Sequence, residues 1–272
     1  MTPRADRPGQ LPAPDAATIA GVALPNGKWI VADPGFDEGN TSDAVMWMSA
    51  APLADIAASW HPLAQRFAET GLWPLVLGSL DQKGQRPWGD GELAPASCSD
   101  PAQADVEQLL AEWWSRGVPV PEEREEAFIP LAPFGREFPG LAIASDEAEQ
   151  GGAIEAALAD LRGNLGLVAV TRPADALAVI GWQGPVNHYD DMGALSAVLR
   201  TWEDRFGAYL VGVGFDTITL AATRPPCTMT HALAIAAEHF AICSDIVYQG
   251  AGTIDALAES LIDAPTWSFW WD

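Results

Sequence analysis

Apolar and polar residues recur with distinct periods along most of the chain, and these periods predict its elements. Apolar residues spaced three or four apart predict helices over 53–69, 100–117, 154–161, 191–206, 230–243 and 253–262. Short apolar runs predict strands over 45–49, 73–77, 165–170, 177–182, 209–213, 217–221 and 267–271. Two further apolar runs, 19–23 and 28–32, flank Pro25-Asn26-Gly27, and an Asn-Gly turn between apolar runs predicts a β-hairpin.

The order of the elements after residue 164 indicates the fold class. From there to residue 272 we predict the order ββαββααβ. This order favours an α+β fold, with a mixed or antiparallel sheet and helices packed on it. We divide the chain into a flexible tail rich in Pro and Ala (1–16), an N-terminal α/β portion (17–145) and a C-terminal domain (164–272).

Four segments of the chain resemble a bacterial family called domain of unknown function 4253. They are RPWGDGEL (86–93), LSAVLRTWEDRFGA (195–208), AAEHFAICSD (236–245) and WSFWWD (267–272), and the resemblance is strongest over 164–272. In that family the third segment usually ends in Cys-Pro-Asp, whereas Ser244 takes the place of the proline here, so a rigid turn is less assured. The resemblance implies the limits of the C-terminal domain and a bacterial origin, and it implies no activity.

The charge balance restricts the partners. The chain has 14 lysines and arginines against 37 aspartates and glutamates, which gives a net charge of −23. Such a surface repels nucleic-acid phosphates and anionic membranes, and it attracts basic proteins through electrostatic steering. We therefore expect no nucleic-acid partner, no membrane partner and, if there is a protein partner, a basic one. The alternative is that the acidic charge only maintains solubility, as in many proteins from GC-rich bacterial genomes.

The cysteines and the N-terminal residues bear on the location of the protein. There are three cysteines and no CxxC pair, and the sequence has neither a signal-peptide pattern nor a long apolar run. These features predict a cytoplasmic protein with reduced thiols. They give no prediction of the oligomeric state.

The end of the predicted helix 230–243 is the first candidate site. His239 and Cys243 are four residues apart, on one face of the helix, and Asp245 follows just beyond its end. Such a group is able to bind zinc, or to use the thiol as a nucleophile with the imidazole as its base. Both side chains also fall on the apolar stripe of the helix, which a buried, structural His and Cys explain equally well. We favour the structural interpretation and predict that His239 is buried, with a ring nitrogen bonded to a protein acceptor.

The segment between strand 177–182 and helix 191–206 is the second candidate site. Trp182, Asn187, His188 and Asp190 are its candidate ligand-binding residues, because loops between a strand end and a helix N-terminus are favoured ligand positions. His188 and Asp190 are also candidates for catalysis. The alternative is that Asp190 or its neighbour Asp191 only caps the helix, with Tyr189 as a packing residue.

Two functions remain open from the sequence. It contains no P-loop, no GxGxxG, no GxSxG and no HExxH motif, so we predict no cofactor, no metal and no assigned catalytic residue. The first function is a non-catalytic binding protein for a basic partner, as immunity-type proteins are. The alternative is a small-molecule-binding enzyme or sensor that uses the 184–191 loop and the 239–245 helix end. A pocket shared by the two segments favours the alternative, and two separately packed sites favour the first.

Overall fold

The computed structural model describes residues 3–80, 85–120 and 125–272. Its strands are β1 (Thr18–Ile19), β2 (Val22–Ala23), β3 (Gly27–Val31), β4 (Ala44–Ser49), β5 (Leu72–Leu77), β6 (Asn164–Ala169), β7 (Ala208–Val213), β8 (Thr217–Ala222) and β9 (Thr266–Trp270). Its α-helices are α1 (Ile56–Gln65), α2 (Phe67–Thr70), α3 (Val106–Gly117), α4 (Ala153–Ala159), α5 (Ala176–Ile180), α6 (Met192–Phe206), α7 (Met229–Ile242) and α8 (Ile254–Leu261). Among the described residues, no helix is long and apolar enough to cross a membrane.

A seven-stranded mixed sheet forms the centre of the fold. Its strand order is β3-β4-β6-β5-β7-β8-β9, and all neighbours are antiparallel except β5 and β7, which are parallel. Strand β6, which begins at residue 164, lies between β4 and β5, which precede it in the chain. The parts of the chain before and after residue 164 therefore share one sheet. The helices pack on this sheet and on one another, with α7 against α3 and α8. The predicted α+β class with a mixed sheet is therefore confirmed.

A buried ion pair joins α6 to α7. Glu238 of α7 is fully buried, and its two carboxylate oxygens each lie 2.6 Å from a guanidinium nitrogen of Arg205. The same carboxylate accepts hydrogen bonds from the Trp202 indole N–H and from the Ala142 N–H, both at 2.7 Å. Four donors thus surround one buried charge, which compensates for the loss of its hydration.

The prediction of a strand over 177–182 is wrong, because these residues form most of the helix α5 and its end. A 3-10 turn that begins with Pro173 leads directly into α5, and Gly181 ends the helix in the left-handed region at φ 67°. A side chain at Gly181 would lie 2.0 Å from the backbone of Pro95, so this end needs glycine. Four of the five helical residues are buried, and so short an apolar run has no period that distinguishes a helix from a strand. The order after residue 164 is therefore βααββααβ.

The hairpin that we predicted around Asn26-Gly27 is also wrong. The turn lies earlier, at Ala20-Gly21, where both residues have positive φ and join β1 to β2. Strand β3 instead pairs with β4, as Gly27 faces Ser49 and Trp29 faces Trp47. A Cβ at Gly27 would lie 2.1 Å from the Trp47 ring. The glycine therefore serves close packing between strands and not a turn.

Other boundaries differ by smaller amounts. The predicted helix 53–69 is divided at Arg66 into α1 and α2, and Pro62 lies within α1. The predicted helix 100–117 consists of a 3-10 turn at Pro101–Gln103 followed by α3, which Asp105 caps. Residues 3–16, predicted as a flexible tail, contain no helix or strand but lie along the body. The Ala5 N–H donates to Thr171 O at 3.1 Å, and Gly9 N–H donates to Gly71 O at 2.9 Å.

Candidate functional site

A pocket of about 230 Å³ opens where three segments of the chain meet. They are the last turn of α3, the loop before α6 and the end of α7. The lining residues are Trp113, Arg116 and Gly117 from α3, Asn187, His188 and Tyr189 from the loop, and Ala241, Ile242 and Ser244 from the end of α7. The two segments that the sequence singled out, 184–191 and 239–245, therefore line one pocket.

Two sets of local hydrogen bonds fix the conformation of the 184–191 loop. The carbonyl of Pro185 accepts hydrogen bonds from the N–H groups of His188 and Tyr189, at 2.8 and 2.9 Å. Asp191 then caps α6, since its Oδ1 accepts hydrogen bonds from Gly193 N–H at 2.9 Å and from Ala194 N–H at 3.4 Å. These bonds leave the side chains of the loop on the side where α3 and α7 end.

Tyr189 attaches the loop to both helices. Its ring stacks on Trp113 of α3, with centroids 4.4 Å apart and planes at 12°, and its hydroxyl donates to the carbonyl of Ile242 at 2.9 Å. The Trp271 indole N–H donates to the same carbonyl at 3.0 Å. Burial raises the pKa of the Tyr189 hydroxyl well above its usual value, so it remains a neutral donor. Stacked rings of Trp113 and Tyr189 thereby form one wall of the pocket.

His188 and Asp245 form the polar centre of the site. Nε2 of His188 lies 3.3 Å from Oδ2 of Asp245 and 3.3 Å from the carbonyl oxygen of Asp272. Asp245 is itself fixed, because its Oδ2 accepts from Asp272 N–H at 3.1 Å and its Oδ1 accepts from Gln249 Nε2 at 3.2 Å. With a proton on Nε2 the ring donates to these oxygens, and within the described part of the chain Nδ1 has no hydrogen-bond partner. A fixed carboxylate thus orients the ring and leaves one nitrogen as an acceptor.

His239 lies outside this pocket, in the core. It is 2% exposed, and its ring contacts those of Trp202, Trp267 and Phe269 with centroids 4.7 to 4.8 Å away. Burial lowers its pKa to about 3, so the ring is neutral near pH 7. The predicted burial is confirmed, and Nε2 has no hydrogen-bond partner in the described residues.

Cys243 is also buried, at 1% exposed. Its Sγ lies 2.9 Å from the carbonyl oxygen of Trp270, to which the thiol donates, and burial raises its pKa to about 12. A thiol that is neutral and already bonded lacks the thiolate form that a nucleophile needs. Among the described residues, no group of three or more His, Cys, Asp and Glu side chains is arranged to hold a metal ion.

The remaining predicted residues divide between core and surface. Asn187 lines the pocket beside His188. Trp182 is fully buried, where its indole N–H donates to Gly214 O at 2.9 Å and its ring lies 5.5 Å from that of Trp271. Asp190 is exposed and does not line the pocket. The helix is capped by Asp191, which was the alternative to a ligand-binding role for this acidic pair.

Sequence reasoning missed the contribution of α3. Its apolar stripe predicted only that Trp113 packs in the core, and no local pattern related Arg116 to a loop more than seventy residues later. The helix stop at Gly117 was visible, but a helix end becomes a pocket wall only through tertiary packing. Ser244 was seen only as a replacement for proline.

Comparison with known proteins finds a family to which the C-terminal part of the chain is similar. Residues 164–272 match the family model described as Domain of unknown function (DUF4253). The matched segment contains His188, Asp245 and the end of α7, whereas Trp113 and Arg116 lie before it. No curated protein and no solved structure matches the chain.

Proposed function

We propose that the chain, whose residues 164–272 match the DUF4253 family model, binds a small molecule in the pocket between α3, the 184–191 loop and the end of α7. One observation carries this proposal: two segments about fifty residues apart in sequence, each with candidate chemistry, line the same pocket. A volume of about 230 Å³ lies below the roughly 300–1,000 Å³ of pockets for drug-sized ligands. The ligand is therefore a compact metabolite or a single chemical group of a larger molecule.

His188 is the residue that we expect to contact the ligand. Its side chain is 29% exposed, its orientation is set by Asp245, and Nδ1 is available to accept a hydrogen bond. Asn187 and Ser244 add an amide and a hydroxyl to the lining. A few polar groups placed among aromatic walls are typical of a small-molecule site.

The arrangement supports binding or sensing over covalent catalysis. The Cys243 thiol is buried and donates to a carbonyl. Ser244 lines the pocket, yet no hydrogen bond joins its hydroxyl to His188 within the described residues, so the base needed to activate a serine is not in place. Neither side chain is presented as an activated nucleophile.

A basic protein partner is the second candidate. The net charge of −23 supports it, because a field of that sign raises the association rate of cationic proteins. A basic partner that binds outside the pocket is unaffected by substitutions at His188, so these substitutions distinguish that case from binding in the pocket.

Histidine NMR tests the proposal. The chain has four histidines, so selective ¹⁵N labelling gives few ring signals, and each is assigned by substitution. We expect that, in a panel of small organic acids, amines and neutral polar metabolites, binding compounds shift the His188 ring signal. His188→Gln should then lower their affinity by about tenfold, or about 1.4 kcal/mol, through loss of the oriented ring acceptor.

His61→Gln is the matched control. The His61 side chain is 32% exposed and its Nε2 lies 4.0 Å from Glu155, so it resembles His188 in exposure and in having an acidic neighbour, but it lies on α1. Affinity should be unchanged in this variant. Compounds that bind His188→Gln as tightly as the wild type, or a panel in which only His61 responds, would disprove the proposed site.

A further inference from the structure

The pocket lies at the carboxyl ends of two helices. α3 ends at Gly117 and α7 at Ile242, and the last carbonyls of a helix carry partial negative charge. Within the described residues, the carbonyls of Arg116 and Ala241, both lining residues, accept no hydrogen bond. Two helix ends therefore offer carbonyl acceptors to whatever enters the pocket.

Asp245 adds a full negative charge behind His188. Its carboxylate is nearly buried and contacts His188, the Asp272 N–H and Gln249. No lysine or arginine of the described ranges forms an ion pair with it. The charge of Asp245 thus remains without a permanent cationic partner, in a region where burial reduces screening by solvent.

Among the lining residues that the structure describes, Arg116 is the single lysine or arginine. Its guanidinium lies 2.5 Å from Glu112, one turn earlier in α3, and both side chains are about half exposed. This pair directs the guanidinium back along the helix and balances its charge. The electrostatic balance of the pocket is therefore negative.

We propose that the group bound in this pocket is positively charged, an ammonium or a guanidinium, and this inference rests on the proposed binding function. The cation donates to Nδ1 of His188 and to the helix-end carbonyls while Asp245 stabilises its charge. Two sources supply such a group: a free small amine, or a lysine or arginine side chain of a basic protein. The net charge of −23 concentrates both near the protein.

Three probes of similar length and different charge test the sign of the charge that the pocket prefers. They are n-butylammonium, 1-butanol and butyrate, added at constant ionic strength to the full chain labelled with ¹⁵N-histidine. Butylammonium should shift the His188 ring signal in a saturable way, whereas 1-butanol and butyrate should bind at least about tenfold more weakly. Preference for butyrate, or no preference among the three, overturns the cationic assignment. Binding of other compounds at His188 would then still support the pocket itself.

Arg116→Gln gives a second test that leaves the fold intact, since Arg116 is on the surface. Removing a like charge near the cation should tighten butylammonium binding by about threefold. Arg66→Gln is the matched control, because Arg66 has the same 54% side-chain exposure and a nearby acidic partner, Glu69, but lies at the junction of α1 and α2. A loss of butylammonium affinity in Arg116→Gln overturns the proposal.

Asp245→Asn tests the counter-charge directly. It should weaken butylammonium binding by about tenfold while leaving any 1-butanol binding unchanged, and Glu259→Gln on α8 should have no effect. The two sources are separated by a further pair of probes, Nα-acetyl-lysine methylamide and a lysine-rich decapeptide. A peptide that binds at least about tenfold more tightly than the single residue identifies a protein partner, and equal affinity identifies a free amine. Failure of both lysine probes to compete with butylammonium contradicts a shared site.

Discussion

The His188 side chain is 29% exposed and faces a carboxylate, whereas His239 is 2% exposed and faces three aromatic rings. Burial alone lowers the pKa of His239 to about 3. His188 keeps contact with solvent and has a charged partner that orients it. The His188 ring is therefore able to form hydrogen bonds with a ligand, whereas the His239 ring contributes to packing.

The regions around the two histidines differ as well. The core beside His239 is held by Trp202, which contacts its ring, and by the buried pair of Arg205 and Glu238 to which the Trp202 indole donates. The pocket beside His188 is lined instead by Arg116, whose ion pair with Glu112 is half-exposed. Substitutions in the two regions should therefore separate into effects on stability and effects on binding.

The largest expected effect comes from Arg205→Met. It leaves the fully buried carboxylate of Glu238 without its cation, and removing one partner of a buried pair costs about 3–5 kcal/mol. Arg116→Met, which breaks the half-exposed pair with Glu112, should cost less than about 0.5 kcal/mol. Urea unfolding followed by circular dichroism measures both. Similar costs for the two variants would remove the distinction between core and pocket.

The elements of the core were largely predictable from sequence, because the spacing of apolar residues within a helix or strand identifies its buried face. The predicted helix 191–206, in which Trp202 is buried, and the predicted strand 267–271, in which Trp267 and Phe269 are buried, both match the structure. The failures have local causes as well. The run that forms α5 is too short, with four of its five residues buried, to show a helical period. Gly27 is required for packing against Trp47, and a glycine after Asn26 imitates a turn signal.

The pH dependence of stability is the second way to test the contrast. The pKa of His239 is about 3 in the folded state and 6.5 without burial, so between these values the unfolded chain binds more protons. The contribution of His239 to stability is therefore present above pH 6.5 and is lost as the pH falls toward 3, by at most about 1.4 kcal/mol per pH unit. His239→Leu should remove this slope.

The difference between the wild type and His239→Leu isolates this histidine. Glu203 acts in the opposite direction, since burial raises its pKa to about 7 and its contribution is lost as the pH rises through that value. Glu203 is present in both proteins, so it cancels in the difference. We expect the difference in unfolding free energy, wild type minus His239→Leu, measured by urea unfolding at pH 7, 6 and 5, to decrease as the pH falls. A difference that stays constant would mean that His239 titrates in the folded state as it does in the unfolded one.

The pocket was only half predictable from sequence. The loop and the end of α7 each carry a local pattern, and both were identified, but their contact depends on Tyr189 reaching Ile242 across fifty-three residues. The roles of His188 and Asp245 as a pair likewise depend on that contact. The wall supplied by α3 has no local pattern at all, since Arg116 in sequence is an ordinary helical partner of Glu112.

The smallest expected effect on stability comes from His188→Gln, and its smallness is informative. The ring is partly in water, and Asp245 keeps its bonds to the Asp272 N–H and to Gln249, so no buried charge loses its last partner. We expect a change below about 0.5 kcal/mol, or a shift in melting temperature of at most about 2 °C by calorimetry. The same substitution at His239 places an amide among three aromatic rings and should cost about 2–3 kcal/mol. A His188→Gln variant as unstable as His239→Gln would show that the loop is held by His188, and the pocket would then be a consequence of packing.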